Sequence, residues 1–100
     1  IQAVQNALEQ DNVLLAQQVF NTLTAEEKNA IPGQVLKGRL LLENNDTEDA
    51  FDYFETLQEQ HESNVDINYY LGVSAVVMVQ KASIFSKLSY AKDFIKELLS

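Results

Sequence analysis

The sequence predicts an all-α fold built from antiparallel helix pairs, and three observations carry that expectation. Apolar residues recur at spacings of three and four through most of the chain, which is the helical period. Asp/Asn clusters interrupt the pattern at Asp11-Asn12 and at Asn44-Asn45-Asp46. Pro is single and Gly occurs only three times, which suits helices joined by short connections. The clearest unit is residues 35–57, VLKGRLLLENNDTEDAFDYFETL. Its apolar run Val35 to Leu42 breaks at Asn44-Asn45-Asp46, and Ala50, Phe51, Phe54 and Leu57 then share one stripe. This reads as two helices joined by a tight turn. One such pair cannot bury both stripes alone, so it needs similar neighbours. One hundred residues suffice for a single domain, 1–100, with a core of modest size.

The elements follow in order. Ile1, Val4, Ala7 and Leu8 mark the stripe of a first helix, and Asp11-Asn12 ends it and caps the next. Val13 to Leu23 forms the second, with Ala16, Val19, Phe20 and Leu23 inward. Thr24-Ala25-Glu26-Glu27 has the pattern of a capping box, opening a short turn that ends near Ala30. Pro32 suits an early position of the next helix, where no amide donor is needed. That helix runs from about Gly33 to Asn44. Gly38 costs it helix propensity, so a close approach by a neighbouring helix is the expected reason for it. Asp46 or Thr47 caps a helix lasting to about Glu59, and His61 to Asn64 is a polar loop. Ser63 with Asp66 gives another cap pattern before a helix carrying Ile67, Tyr70, Leu71, Ala75 and Met78. Val73 to Val79 is apolar nearly all round, which predicts a helix that is central or covered on two sides. Residues 73–100 contain neither Gly nor Pro. Even so, Leu88, Ala91, Phe94, Ile95 and Leu98 form a fresh stripe, which predicts a break between Ser83 and Ser86 with either serine as cap.

An internal repeat links these elements. Ala16, Phe20 and Leu23 recur 34 residues later as Ala50, Phe54 and Leu57, and Gln10-Asp11-Asn12 aligns with Asn44-Asn45-Asp46. A helix–turn–helix unit of this period resembles the tetratricopeptide repeat. Gly38 and Ala50 have the spacing of that family's two small positions, Leu41 falls at a large apolar one, and Leu71-Gly72 matches its Leu-Gly. The Ala partner of the third unit is Ala91, about seven residues late. The stretch QKASIFSKLSYAKDF, residues 80–94, also resembles a segment of bacterial tetratricopeptide-like proteins. Gln34 and Lys37 depart from the family, which prefers large apolar groups there. Val35 and Leu36 are displaced by one, implying a rotated helix or an uncovered first turn.

The resemblance implies a right-handed superhelical stack of about three antiparallel helix pairs, with degenerate repeats at about 1–30, 31–63 and 64–100. The first helix of each pair would line a concave face that binds a peptide or protein, without catalytic machinery. Carried over residue by residue, that face would present Arg39, Leu42, Glu43, Tyr69, Val73 and Val76, with Val35, Asp66, Gln5 and Leu8 beside them. Arg39 and Tyr69 are types enriched in binding hot spots. Adjacent helical residues point about 100° apart, so Tyr70 takes the apolar stripe and Tyr69 faces elsewhere. Tyr69 therefore either meets a partner or packs against a further segment.

Charge and composition exclude several alternatives. The net charge of −8 argues against nucleic acid, which needs a basic footprint, and against anionic membrane surfaces. No apolar run approaches the roughly 20 residues of a membrane span, so no membrane insertion is expected. Between Leu40 and Gln80 there are nine acids and no Lys or Arg, whereas four Lys against Asp93 and Glu97 follow from Lys81. An acidic solvated helix face accounts for the first stretch. His61 is the only histidine and shares no helical face with both Glu59 and Glu62, so a loop histidine explains it better than a metal ligand. Asp49 with Asp52 reads as exposed helix surface rather than an acid/base pair. Asn45-Asp46-Thr47 fits a glycosylation pattern but is better explained by the turn. Ser83 and Ser86 lack a histidine partner for nucleophilic chemistry. No cofactor, metal or enzymatic activity is therefore expected. The absence of cysteine removes disulfides and thiol chemistry but does not choose between cytoplasm and periplasm. IQAVQNALEQ has no signal-peptide character. A start inside an amphipathic pattern and an end on Glu97-Leu98-Leu99-Ser100 predict a piece of a longer protein. Two functions follow: a non-catalytic interaction scaffold, or a self-associating module whose acidic middle meets the Lys-bearing end of another copy, as a homodimer or head to tail.

Overall fold

Two left-handed residues set the path of the chain. Asp11 has φ 57° and Asn45 φ 64°, a conformation that Asn and Asp tolerate better than most residues. Each ends a helix the same way. The amide of Asn12 donates to the carbonyl of Ala7 at 2.9 Å, and that of Asp46 to Leu41 at 2.9 Å. The Asp11 amide reaches Leu8 and the Asn45 amide Leu42, both at 3.1 Å. Both turns satisfy the last helical carbonyls and reverse the chain at once. They lie 34 residues apart, as the sequence repeat predicts.

The computed structural model describes residues 1–99, the side chains of Tyr90 and Phe94 excepted, so the place of Phe94 in the predicted last stripe lies outside the described residues. Among those residues there are six helices and no strand: α1 (Gln2–Glu9), α2 (Val13–Asn21), α3 (Ala25–Asn29), α4 (Ile31–Glu43), α5 (Thr47–Gln60) and α6 (Val65–Leu99). The Asn12 side chain accepts from the Leu15 amide at 3.2 Å, capping α2. Thr24 and Glu27 form the expected capping box, with the Glu27 amide 3.1 Å from the Thr24 hydroxyl and the Thr24 amide 3.0 Å from Glu27 Oε1. Helix α4 starts at Ile31, with Pro32 in its first turn. A Cβ at Gly33 would collide with the Glu27 carbonyl, so glycine is what lets α3 fold back onto α4.

Helix α4 lies between two clusters. Leu36 and Leu40 join Val4, Ala7 and Leu8 of α1 and Ala16 and Phe20 of α2. Val35 joins Phe54 and Leu57 of α5 and Ile67 of α6, with Leu42, Tyr70 and Leu71 packed alongside. Adjacent Val35 and Leu36 point about 100° apart and so serve different clusters. Leu8 and Val35, expected on the open concave face, are thus core residues, because α4 buries two sides instead of one. The displaced Val35-Leu36 pair leaves Lys37 exposed, with its ammonium 5.4 Å from the Tyr53 ring centre. Gly38 meets its expectation: a Cβ there would overlap the Phe54 ring, which is fully buried.

The sequence reading of residues 63–100 needs three corrections. Asn64, not Ser63, caps α6, its Oδ1 accepting from the Ile67 amide at 3.0 Å. Helix α6 then runs unbroken through Ser83 and Ser86 for 35 residues. The two earlier turns each used a left-handed Asp or Asn, and 73–92 contains no Asp, Asn or Gly. A serine able to cap a new helix does not by itself end the old one. Finally, α6 is covered on one side only. Ile67 and Ser74 are fully buried, whereas Val76 is 56% and Val79 69% exposed.

Candidate functional site

Helix α5 begins at Thr47, and there the support for α6 stops. The Lys81 ammonium donates to the Asn45 carbonyl at 3.2 Å and to Thr47 Oγ1 at 2.6 Å. This places the ammonium on the turn that joins α4 to α5. Past Lys81 every described side chain is exposed, including Ile84, Phe85, Leu88, Ile95, Leu98 and Leu99. The molecule is 60 Å in its longest dimension. A 35-residue helix is itself roughly 52 Å long.

Of the six residues expected on a binding face, Tyr69, Val73 and Val76 come together. With Asn68, Gly72 and Val77 they line an open groove of 490 Å³, apolar apart from the Asn68 amide and the Tyr69 hydroxyl. Tyr69 is 63% exposed and stands edge-on to Tyr70, ring centres 5.0 Å apart. Tyr70 in turn stacks on Phe54 at 5.8 Å. The exposed tyrosine is therefore braced by the core through one intervening ring. Arg39 is half-buried, with its guanidinium 5.1 Å from the Tyr70 ring centre. Leu42 packs on the second cluster and Glu43 is exposed at the end of α4. None of these three lines the groove.

Gly72 is the feature that sequence reasoning underused. It lies 34 residues after Gly38, in register with the glycine that receives Phe54. A Cβ at Gly72 would meet nothing within 4 Å. Gly38 is filled from within the chain, whereas Gly72 is an open notch in the groove floor. The signal available in the sequence was the repeat spacing of the two glycines.

A second cleft, of 460 Å³, lies between the start of α5 and α6, lined by Asp46, Glu48, Asp49, Met78, Lys81 and Phe85 among others. Its polar lining comes from Asn45, Asp46, Thr47, Glu48 and Asp49 and from the engaged Lys81. Among the described residues no group of three His, Asp or Glu side chains is placed to hold a metal ion. Burial raises the Tyr53 phenol above its ordinary pKa, and this residue packs on the second cluster away from the groove lining. By length and composition α6 is long and apolar enough to cross a membrane, with a mean hydropathy of 1.3 in its qualifying stretch. The sequence expectation of no membrane-length apolar run overlooked this stretch, because polar residues such as Ser74, Gln80 and Lys81 interrupt the apolar ones. Comparisons of the chain with protein-family models, curated proteins and solved structures find no match.

Proposed function

We propose that this chain is a non-catalytic protein-interaction module of tetratricopeptide-like type, with its helix pairs in a right-handed superhelical stack. Its contact surface is the open face of α6 centred on Tyr69, Val73 and Val76. The observation that carries this reading is the apolar groove with the unfilled Gly72 notch. A helix-interior glycine costs about 0.5–1 kcal/mol relative to alanine. Close approach by an outside group gives that cost a purpose. Tyr69 supplies a flat apolar face with a polar tip, suited to such a contact. A protein contact is favoured over a membrane span by the packing of Ile67 and Ser74 into the body and by Lys81, Lys87, Lys92 and Lys96 along the same helix.

The test is titration with a fluorescent amphipathic helical peptide bearing Leu on one face and Lys on the other. Tyr69→Ala and Val76→Asp are each expected to weaken binding by about 1–2 kcal/mol with helicity unchanged. Parent-like binding by both variants, together with loss on changing Glu55 or Glu59 of α5, would move the site to the acidic outer face.

A further inference from the structure

We infer that the occupant of this groove is the last part of α6 from a second copy of the chain, in an antiparallel α6–α6 pair centred on Ile84. The inference rests on the preceding reading of the groove as a protein-contact surface and names its partner. One stripe runs the length of the helix: Tyr69, Val73, Val77, Gln80, Ile84, Leu88, Ala91, Ile95 and Leu98. Its steps of 4, 4, 3, 4, 4, 3, 4 and 3 average about 3.6, so it stays on one face of a straight helix. Eight of its nine members are apolar, none is fully buried, and Tyr69, Ile84, Leu88, Ile95 and Leu98 are each more than half exposed. The stripe spans roughly 44 Å at 1.5 Å per residue.

The stripe complements itself. Antiparallel pairing about Ile84 sets Val73 opposite the second copy's Ile95, Val77 opposite its Ala91, and Gln80 opposite its Leu88. Tyr69 and the Gly72 notch then meet the turn carrying Ile95 and Leu98. The same patch serves both copies, as a two-fold interface requires. The helix beyond Lys81 cannot enter its own groove, because α6 is continuous from Val65 to Leu99.

Charge points to the same occupant. The first eighty residues carry thirteen acids against three bases, and the last twenty carry four lysines against two acids. Pairing carries the net-positive end of each copy toward the net-negative first eighty residues of the other, which favours unlike ends over like ones, although the register sets Lys81 level with the second copy's Lys87.

The chain has no cysteine, so introduced thiols report without background. Sedimentation equilibrium of the full chain is expected to give twice the chain mass at high concentration. Dilution and added salt should dissociate the dimer, and Ile84→Lys should weaken it at least tenfold without changing far-UV helicity. Ile84→Cys should oxidise to a covalent dimer. Val73→Cys with Ile95→Cys in one chain should also give a covalent dimer, whereas a cross-linked monomer means the helix breaks and folds back on itself. That result overturns the inference, as does a dimer that Ile84→Cys fails to trap. A chain that is monomeric throughout also overturns it. If such a monomer still binds the amphipathic peptide through Tyr69, the interaction-surface reading survives and only the second copy is removed. If it binds no peptide, both fall.

Discussion

Gly38 and Gly72 occupy equivalent repeat positions, yet their surroundings predict opposite responses to the same substitution. Gly38→Ala drives a methyl group into the buried Phe54 ring and is expected to cost about 1–3 kcal/mol, as overpacking does. Gly72→Ala meets nothing within the chain and removes a helix-interior glycine, so it should stabilise by about 0.5–1 kcal/mol. Denaturant unfolding below the concentration of self-association checks both, and equal costs would show that the Gly72 notch is already filled. Glu27 gives a pH test at the same scale. The Thr24 amide, and then its hydroxyl, hold the Glu27 carboxyl below its ordinary pKa. A carboxylate lowered on folding stabilises above its unfolded pKa, and that contribution disappears as pH falls through the folded value. Thr24→Ala should therefore narrow the stability difference between neutral and acid pH, and NMR titration of the Glu27 carboxyl should show its pKa rising toward the ordinary value. At this scale the sequence was readable where the cause was local. The capping box, the Asn12 cap and the role of Gly38 follow from residue type and spacing. The Leu8 and Val35 assignments did not, because whether α4 buries one side or two depends on how the pairs stack.

Between elements, what the chain lacks matters as much as what it contains. The first two helix pairs turn at Asp11 and Asn45, each left-handed, each followed by an amide that reaches back five residues. The third unit has a fresh apolar stripe but no such residue, so α6 goes straight through the expected turn. The stripe was legible and its meaning was not, since an apolar face beyond the body looks the same whether it folds back or meets another molecule. Ser86→Pro tests the independence of this segment. Proline in a helix interior costs about 3 kcal/mol where the helix is part of a cooperative fold. No described side chain past Lys81 is buried, so the unfolding midpoint of the dilute chain should stay where it is while far-UV helicity falls. A midpoint lowered by the full amount would instead make residues 82–99 part of the same cooperative unit.

For the whole molecule, stability is expected to divide at Lys81. The core lies in α1, α2, α4, α5 and the first turns of α6, and its most buried members run from Val4 to Ser74. Amides of Leu36, Ala50 and Phe54 should exchange only through global opening, as core amides do. The segment 82–99 extends α6 past Lys81 with every described side chain exposed. Isolated helices of about 12–15 residues are marginal in water, so in a dilute sample these amides depend on the Lys81 anchor and on the helix behind it. Their protection should decline along the segment toward Leu99. Raising the concentration should increase protection in 82–99 and around Val73–Val77, while Leu36 and Ala50 change only through the mass-action stabilisation common to the whole chain. Added salt should reverse part of the gain, because the lysines of one copy would lie beside the acids of the other and ions screen such pairs beyond about 10 Å at 0.1 M. Hydrogen exchange read by mass spectrometry at two concentrations and two salt levels separates the cases. Uniformly high protection through Leu99 in the dilute chain would mean that the segment is stabilised within a single copy. Protection that is low and independent of concentration would mean that no second copy covers it.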